Sequence, residues 1–125
     1  MDTAEMLLRM QDANGRGPYK PGVSKLWVDG TRDFSLPALQ EDFGLDFKPM
    51  VQAAFHRGLH LGTAVRGVDR FNEWFTSTER VKLAMLGYKI VDATNCEVLG
   101  ETNWQVVIGS PKPLSFLPLA HCFAA

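Results

Sequence analysis

Residues 68–92, VDRFNEWFTSTERVKLAMLGYKIVD, carry the pattern that decides the fold. Val68, Phe71, Trp74 and Phe75 recur at helical spacing and form one apolar stripe. Thr76-Ser77-Thr78-Glu79 has the spacing of a capping box, so a break is expected near Thr76 and Ser77 with a new helix starting there. Val81, Ala84 and Met85 continue an apolar face of that helix. Gly87 is placed to end it in the left-handed conformation, and Tyr88 sits where a hydrophobic contact seals such a cap. Residues 88–92 then read as a strand.

Working upstream, Met50, Val51, Ala54 and Phe55 share one face of a helix that opens with Pro49 in its first turn and stops at Gly58. Residues 61–65 read as a buried strand, and residues 6–11 as a first strand or a short helix end. Residues 24–29 read as a strand closed by the turn pair Asp29-Gly30. Residues 31–47 are expected to be a packed irregular segment anchored by Phe34, Leu36, Phe43 and Phe47. Downstream, residues 97–99 and 104–108 read as strands. The Pro-rich C-terminal tail, 110–125, carries Pro111, Pro113 and Pro118 and is expected to run extended over the surface or along a sheet edge. Helices and strands are partly segregated along the chain. The expected fold class is therefore α+β: a single compact domain over 1–125, with a mixed or antiparallel sheet and two to three helices.

The chain of 125 residues is long enough to bury a core without staples. Thirteen basic against fourteen acidic residues leave a net charge of −1, which argues against both a general nucleic-acid binder and an acidic DNA mimic. Two cysteines, Cys96 and Cys122, fit a reducing compartment. The acidic start Met1-Asp2-Thr3-Ala4-Glu5 is unlike a signal peptide, and no run approaches the roughly 18–20 apolar residues of a membrane span. These features lead to an expected cytoplasmic location inside a host cell, with no membrane partner.

Several constellations are candidates for chemistry. Gly15-Arg16-Gly17-Pro18-Tyr19-Lys20 sets two cations and an aromatic on a glycine-rich turn, which suits a phosphate-bearing ligand or, more simply, a rigid connection. It lacks the Gly-Lys-Ser/Thr ending of a P-loop. His56 and His60 are four apart, and Cys96, His121 and Cys122 are further potential zinc ligands, but Gly58 falls between the two histidines. No flanking pattern marks Cys96 or Cys122 as a nucleophile, so no metal and no thiol chemistry is assigned. Glu101, Asn103 and Gln105 share parity and would face one side if extended. In Lys25-Leu26-Trp27-Val28 alternation separates Trp27 from Leu26 and Val28, and an exposed Trp27 beside Lys25 would anchor a protein partner.

Leu7-Leu8-Arg9, Gly15 to Tyr19, His60-Leu61-Gly62-Thr63, Phe71 to Phe75, Leu86-Gly87-Tyr88 and Gln105-Val106-Val107 follow one another in an order that resembles a group of small bacteriophage and prophage proteins of undefined role. More distantly, the order resembles the ADP-ribosyltransferase fold. That likeness implies Arg9 as the holder of NAD and Glu101 or Gln105 as the catalytic position. The chain departs from that family in having no Glu-x-Glu pair and no Ser-Thr-Ser core in its middle strand. Three expectations result. The first is a phage-type accessory protein that binds a host protein, such as a nucleic-acid-processing defence complex, and inhibits it sterically as an anti-CRISPR-like inhibitor does. It needs no cofactor and would bind through Arg16, Tyr19, Lys20, Lys25 and Trp27. The second is an NAD-dependent ADP-ribosyltransferase using Arg9, Glu101 and Gln105. The third is a virion or assembly component.

Overall fold

The central strand β1, Leu7–Gln11, is buried along its whole length because both of its faces are covered. In the computed structural model, which describes residues 2–19, 24–28 and 39–121, it is flanked by β3 (Lys89–Asp92) and β2 (His60–Arg66). The sheet continues through β5 (Val106–Ser110) to β4 (Glu97–Glu101), giving the order β3-β1-β2-β5-β4 with every neighbouring pair antiparallel. β2 divides its length between two neighbours. His60 to Ala64 pair with β5, while Val65 and Arg66 pair with β1.

Alternation along β1 sends Leu8 and Met10 to one face and Leu7, Arg9 and Gln11 to the other. On the first face Leu8, Met10 and Val65 pack with Trp27, Phe71, Trp74, Phe75, Leu83 and Tyr88. Those partners come from α1 (Ser24–Trp27), α4 (Val68–Trp74), α5 (Ser77–Met85) and their ends. α2 (Leu39–Phe43) leads through a 3-10 turn, Gly44–Asp46, into α3 (Phe47–His56), which packs on β2 and β4. On the second face Leu7, Ala64, Val106 and Ile108 meet Ala93 and Leu114. Leu114 belongs to a 3-10 turn, Leu114–Phe116, in the C-terminal segment. The molecule is thus a single α+β domain with an open antiparallel sheet.

Local chemistry sets the element ends. Thr76 caps α5: its hydroxyl accepts from the Glu79 N–H at 3.2 Å, and the Glu79 carboxylate accepts from the Thr76 N–H at 3.0 Å. Gly87 takes φ +92°, and the Tyr88 N–H donates to the Leu83 carbonyl at 2.9 Å, so the helix stops where the sequence places its stop. Gly58, φ +69°, does the same for α3. The C-terminal segment runs along the outer edge of β3. The Asp92 N–H donates to the Pro118 carbonyl and the Ala120 N–H to the Ile90 carbonyl, which covers that edge.

Three expectations change. Residues 24–27 form a turn of helix instead of a strand, and Trp27 is 0% exposed while Leu26 and Val28 face solvent. The separation of Trp27 from its neighbours holds, but the polarity is reversed. An indole buries more apolar surface than either aliphatic neighbour, and its N–H finds the Pro18 carbonyl at 3.2 Å. Trp27 is therefore a core residue and not an exposed anchor. Second, residues 39–47 are helical and α3 begins at Phe47; Phe34 and Leu36 lie outside the described residues. Third, the inward face of α5 is made by Glu79 and Leu83, while Val81, Ala84 and Met85 point outward.

Trp27→Ala should lower the unfolding free energy by about 3–5 kcal/mol, the range for deleting a buried large aromatic. Urea denaturation followed by circular dichroism measures it; a loss under about 1 kcal/mol would contradict the core placement of Trp27.

Candidate functional site

Arg9 stands at the middle of β1 and reaches into the second face, where it is 6% exposed. Its Nε donates to Gln11 Oε1 at 2.9 Å, Nη1 to the Thr63 carbonyl at 3.0 Å and Nη2 to the Gly15 carbonyl at 2.8 Å. Gln11 completes the network by donating Nε2–H to the Leu114 carbonyl at 2.7 Å. Burial lowers Arg9 to about 10, with Asp12 acting in the opposite direction, so the side chain stays cationic at neutral pH. Gly62 makes the room: a Cβ there would fall 2.7 Å from Leu114 Cδ1 and 3.0 Å from Arg9 Cζ. These donors serve the protein's own strand, loop and C-terminal turn.

The other two positions implied by the transferase likeness are engaged elsewhere. Glu101 receives both an Nε and an Nη2 donor from Arg66 at 2.8 Å, and these hydrogen bonds hold its carboxyl below the usual range. Gln105 is buried and donates to Asp42 Oδ2 at 3.0 Å, tying the β4–β5 turn to α2. Glu101, Asn103 and Gln105 do not share a face, because the Thr102 N–H donates to the Gln105 carbonyl and residues 102–105 form a tight turn.

In the glycine loop the backbone donors are directed at a carboxylate within the loop. The Asn14 and Arg16 N–H groups both donate to Asp12 Oδ1, at 2.9 and 3.0 Å, and the Gly15 N–H to the Asp12 carbonyl. Asp12 thus occupies donors that a phosphate cradle would offer. The Arg16 side chain is exposed, Lys20 lies outside the described residues, and of Lys25 the backbone alone is described. His56 ends α3 and His60 begins β2, both exposed, and among the described residues no three His, Cys, Asp or Glu side chains gather as a metal site. Cys122 lies outside the described residues. Burial pushes the half-buried Cys96 thiol up, away from thiolate chemistry.

The surface offers a different feature. On α5, Val81 is 61% exposed and Met85 82% exposed, with Ala84 also facing solvent between them. The positions are i, i+3 and i+4, one stripe on the side of the helix opposite Glu79 and Leu83. α1 packs against α5 and exposes Leu26 and Val28. Next to α1, Tyr19 is half exposed. Its ring meets Trp27 edge-on at 5.3 Å, and its hydroxyl accepts from Trp74 Nε1–H at 2.8 Å. Tyr19 is therefore an aromatic on a fixed base, with Trp27 as its buried support. The sequence does contain the α5 stripe, as Val81, Ala84 and Met85; what it hides is the side on which the stripe lies.

No protein-family model matches the chain, and neither a curated protein nor a solved structure matches it significantly.

Gly62→Ala should cost about 1–3 kcal/mol by forcing a methyl against Arg9 and Leu114. Thermal unfolding reads the loss, and an unchanged midpoint would show that the second face has slack where the geometry shows none.

Proposed function

We propose that this protein works by binding: it is a phage-type accessory domain that docks on a host protein and inhibits it by covering a surface, as an anti-CRISPR-like inhibitor does. The observation that carries the reading is the apolar stripe of Val81, Ala84 and Met85, held outward on a helix fixed at both ends. Contiguous exposed apolar side chains on a rigid element suit a contact with another protein. Leu26, Val28 and Tyr19, on and beside the adjoining α1, extend the apolar surface. The net charge of −1 favours a protein over nucleic acid as the direct partner. Arg9 and Glu101, which NAD transfer would require, are committed to contacts within the domain.

The test is retention of a host-lysate protein on the immobilised full chain, with and without NAD, followed by intact-mass analysis. The expected result is an unmodified partner in fixed ratio that is insensitive to NAD. Met85→Glu should weaken retention about tenfold or more with little change in unfolding midpoint, because the side chain is already solvated. A lysate protein gaining the mass of one ADP-ribose in the presence of NAD would overturn the reading in favour of a transferase. Self-association without any other partner would replace it with an assembly role.

A further inference from the structure

We infer that α5 is the inserted element of the complex, and that the partner receives it in an apolar groove whose rim carries carboxylates. The inference rests on the binding reading above and specifies its chemistry. Successive residues of a helix are 100° apart, so Val81 and Met85, each two positions from Leu83, lie on the far side from the core. The apolar stripe is therefore a crest and not a recess, and a crest is buried efficiently by a concave surface. Anchors at i, i+3 and i+4 are the signature of a helix laid into a groove.

The solvent-facing charges of α5 itself have one sign. α5 contains one acidic residue, Glu79, which is fully buried and bonded to the Thr76 N–H. Lys82 is exposed on the helix. Arg80 is half buried and donates to the Phe75 carbonyl at 2.6 Å. A groove edged by aspartate or glutamate complements this arrangement, and one edged by lysine or arginine is repelled. A second copy of the chain fits poorly. Pairing two such faces would bring like charges together with no exposed acidic group on either helix. The capping box and Gly87 hold the helix in its binding conformation, which limits the ordering cost of association.

The experiment places a photoreactive benzoylphenylalanine at position 81 of the full chain and, as a control, at position 55, an exposed aromatic on α3. The probe is host lysate, irradiated and analysed for the cross-linked peptide. Position 81 should give an adduct whose peptide combines apolar residues with Asp or Glu, and position 55 should not. Lys82→Glu should reduce the yield about tenfold. A basic or uncharged cross-linked peptide, or a yield indifferent to Lys82→Glu, overturns the groove chemistry while leaving the binding reading standing. An adduct between two copies of the chain overturns it in favour of self-association. Retention of a partner on the immobilised chain without any adduct from position 81 shows that α5 is not the inserted element. Loss of both retention and adduct removes the binding reading with it.

Discussion

A single guanidinium, that of Arg9, ties β1 to the glycine loop and the C-terminal turn and adds a bond to β2, its neighbour in the sheet. It bonds to β2 through the Thr63 carbonyl, to the glycine loop through the Gly15 carbonyl and, by way of Gln11, to the C-terminal turn at Leu114. A buried cation is tolerated where its donors find partners, and here three protein oxygens accept from Nε, Nη1 and Nη2. Gly62 and Gly15 follow from that requirement. The first leaves room for the guanidinium; the second, at φ +82°, brings its carbonyl to Arg9 while its own Cα hydrogen faces the Ser115 backbone. The second face is consequently closed by polar bonds and close packing, whereas the first is closed by aromatic bulk.

This division assigns roles to the surface. On the face closed by Arg9, the guanidinium and the Gln11 amide are engaged in holding the domain together. The helical side carries its aromatics inward and leaves a short apolar crest outward on α5. Tyr19 sits between the two conditions, with its ring packed on Trp27, its hydroxyl bonded to Trp74 and half its surface in solvent. The binding role proposed above needs such a crest on a rigid base, and the capping box and Gly87 fix the ends of α5.

Much of the fold was legible in the sequence because it is written in local rules. The Thr76–Glu79 box, the left-handed Gly58 and Gly87, and the strands expected at residues 61–65, 88–92 and 97–99 all appear where short-range chemistry puts them, whereas the strand expected at 104–108 starts at Val106 because residues 102–105 turn. Two misreadings have a common cause. For α1 and α5 the pattern separates inward from outward residues but does not say which set is inward. At α1 the larger Trp27 takes the core against the two aliphatics beside it. At α5 Glu79 lies inward with its carboxylate accepting from the Thr76 N–H, and the apolar triad lies outward. Counting apolar residues selects the wrong face there. The function of Arg9 was beyond local reading, because its partners lie 6, 54 and, through Gln11, 103 residues away in the chain.

The most direct test of the account is the unfolding free energy of Arg9→Met measured by urea titration beside the wild type. Removing the guanidinium leaves the buried carbonyls of Thr63 and Gly15 and the Gln11 side chain without their donor. A loss of about 3–5 kcal/mol is predicted. A variant as stable as the wild type would contradict the account, because Arg9 would then be free of a structural duty and available to a ligand.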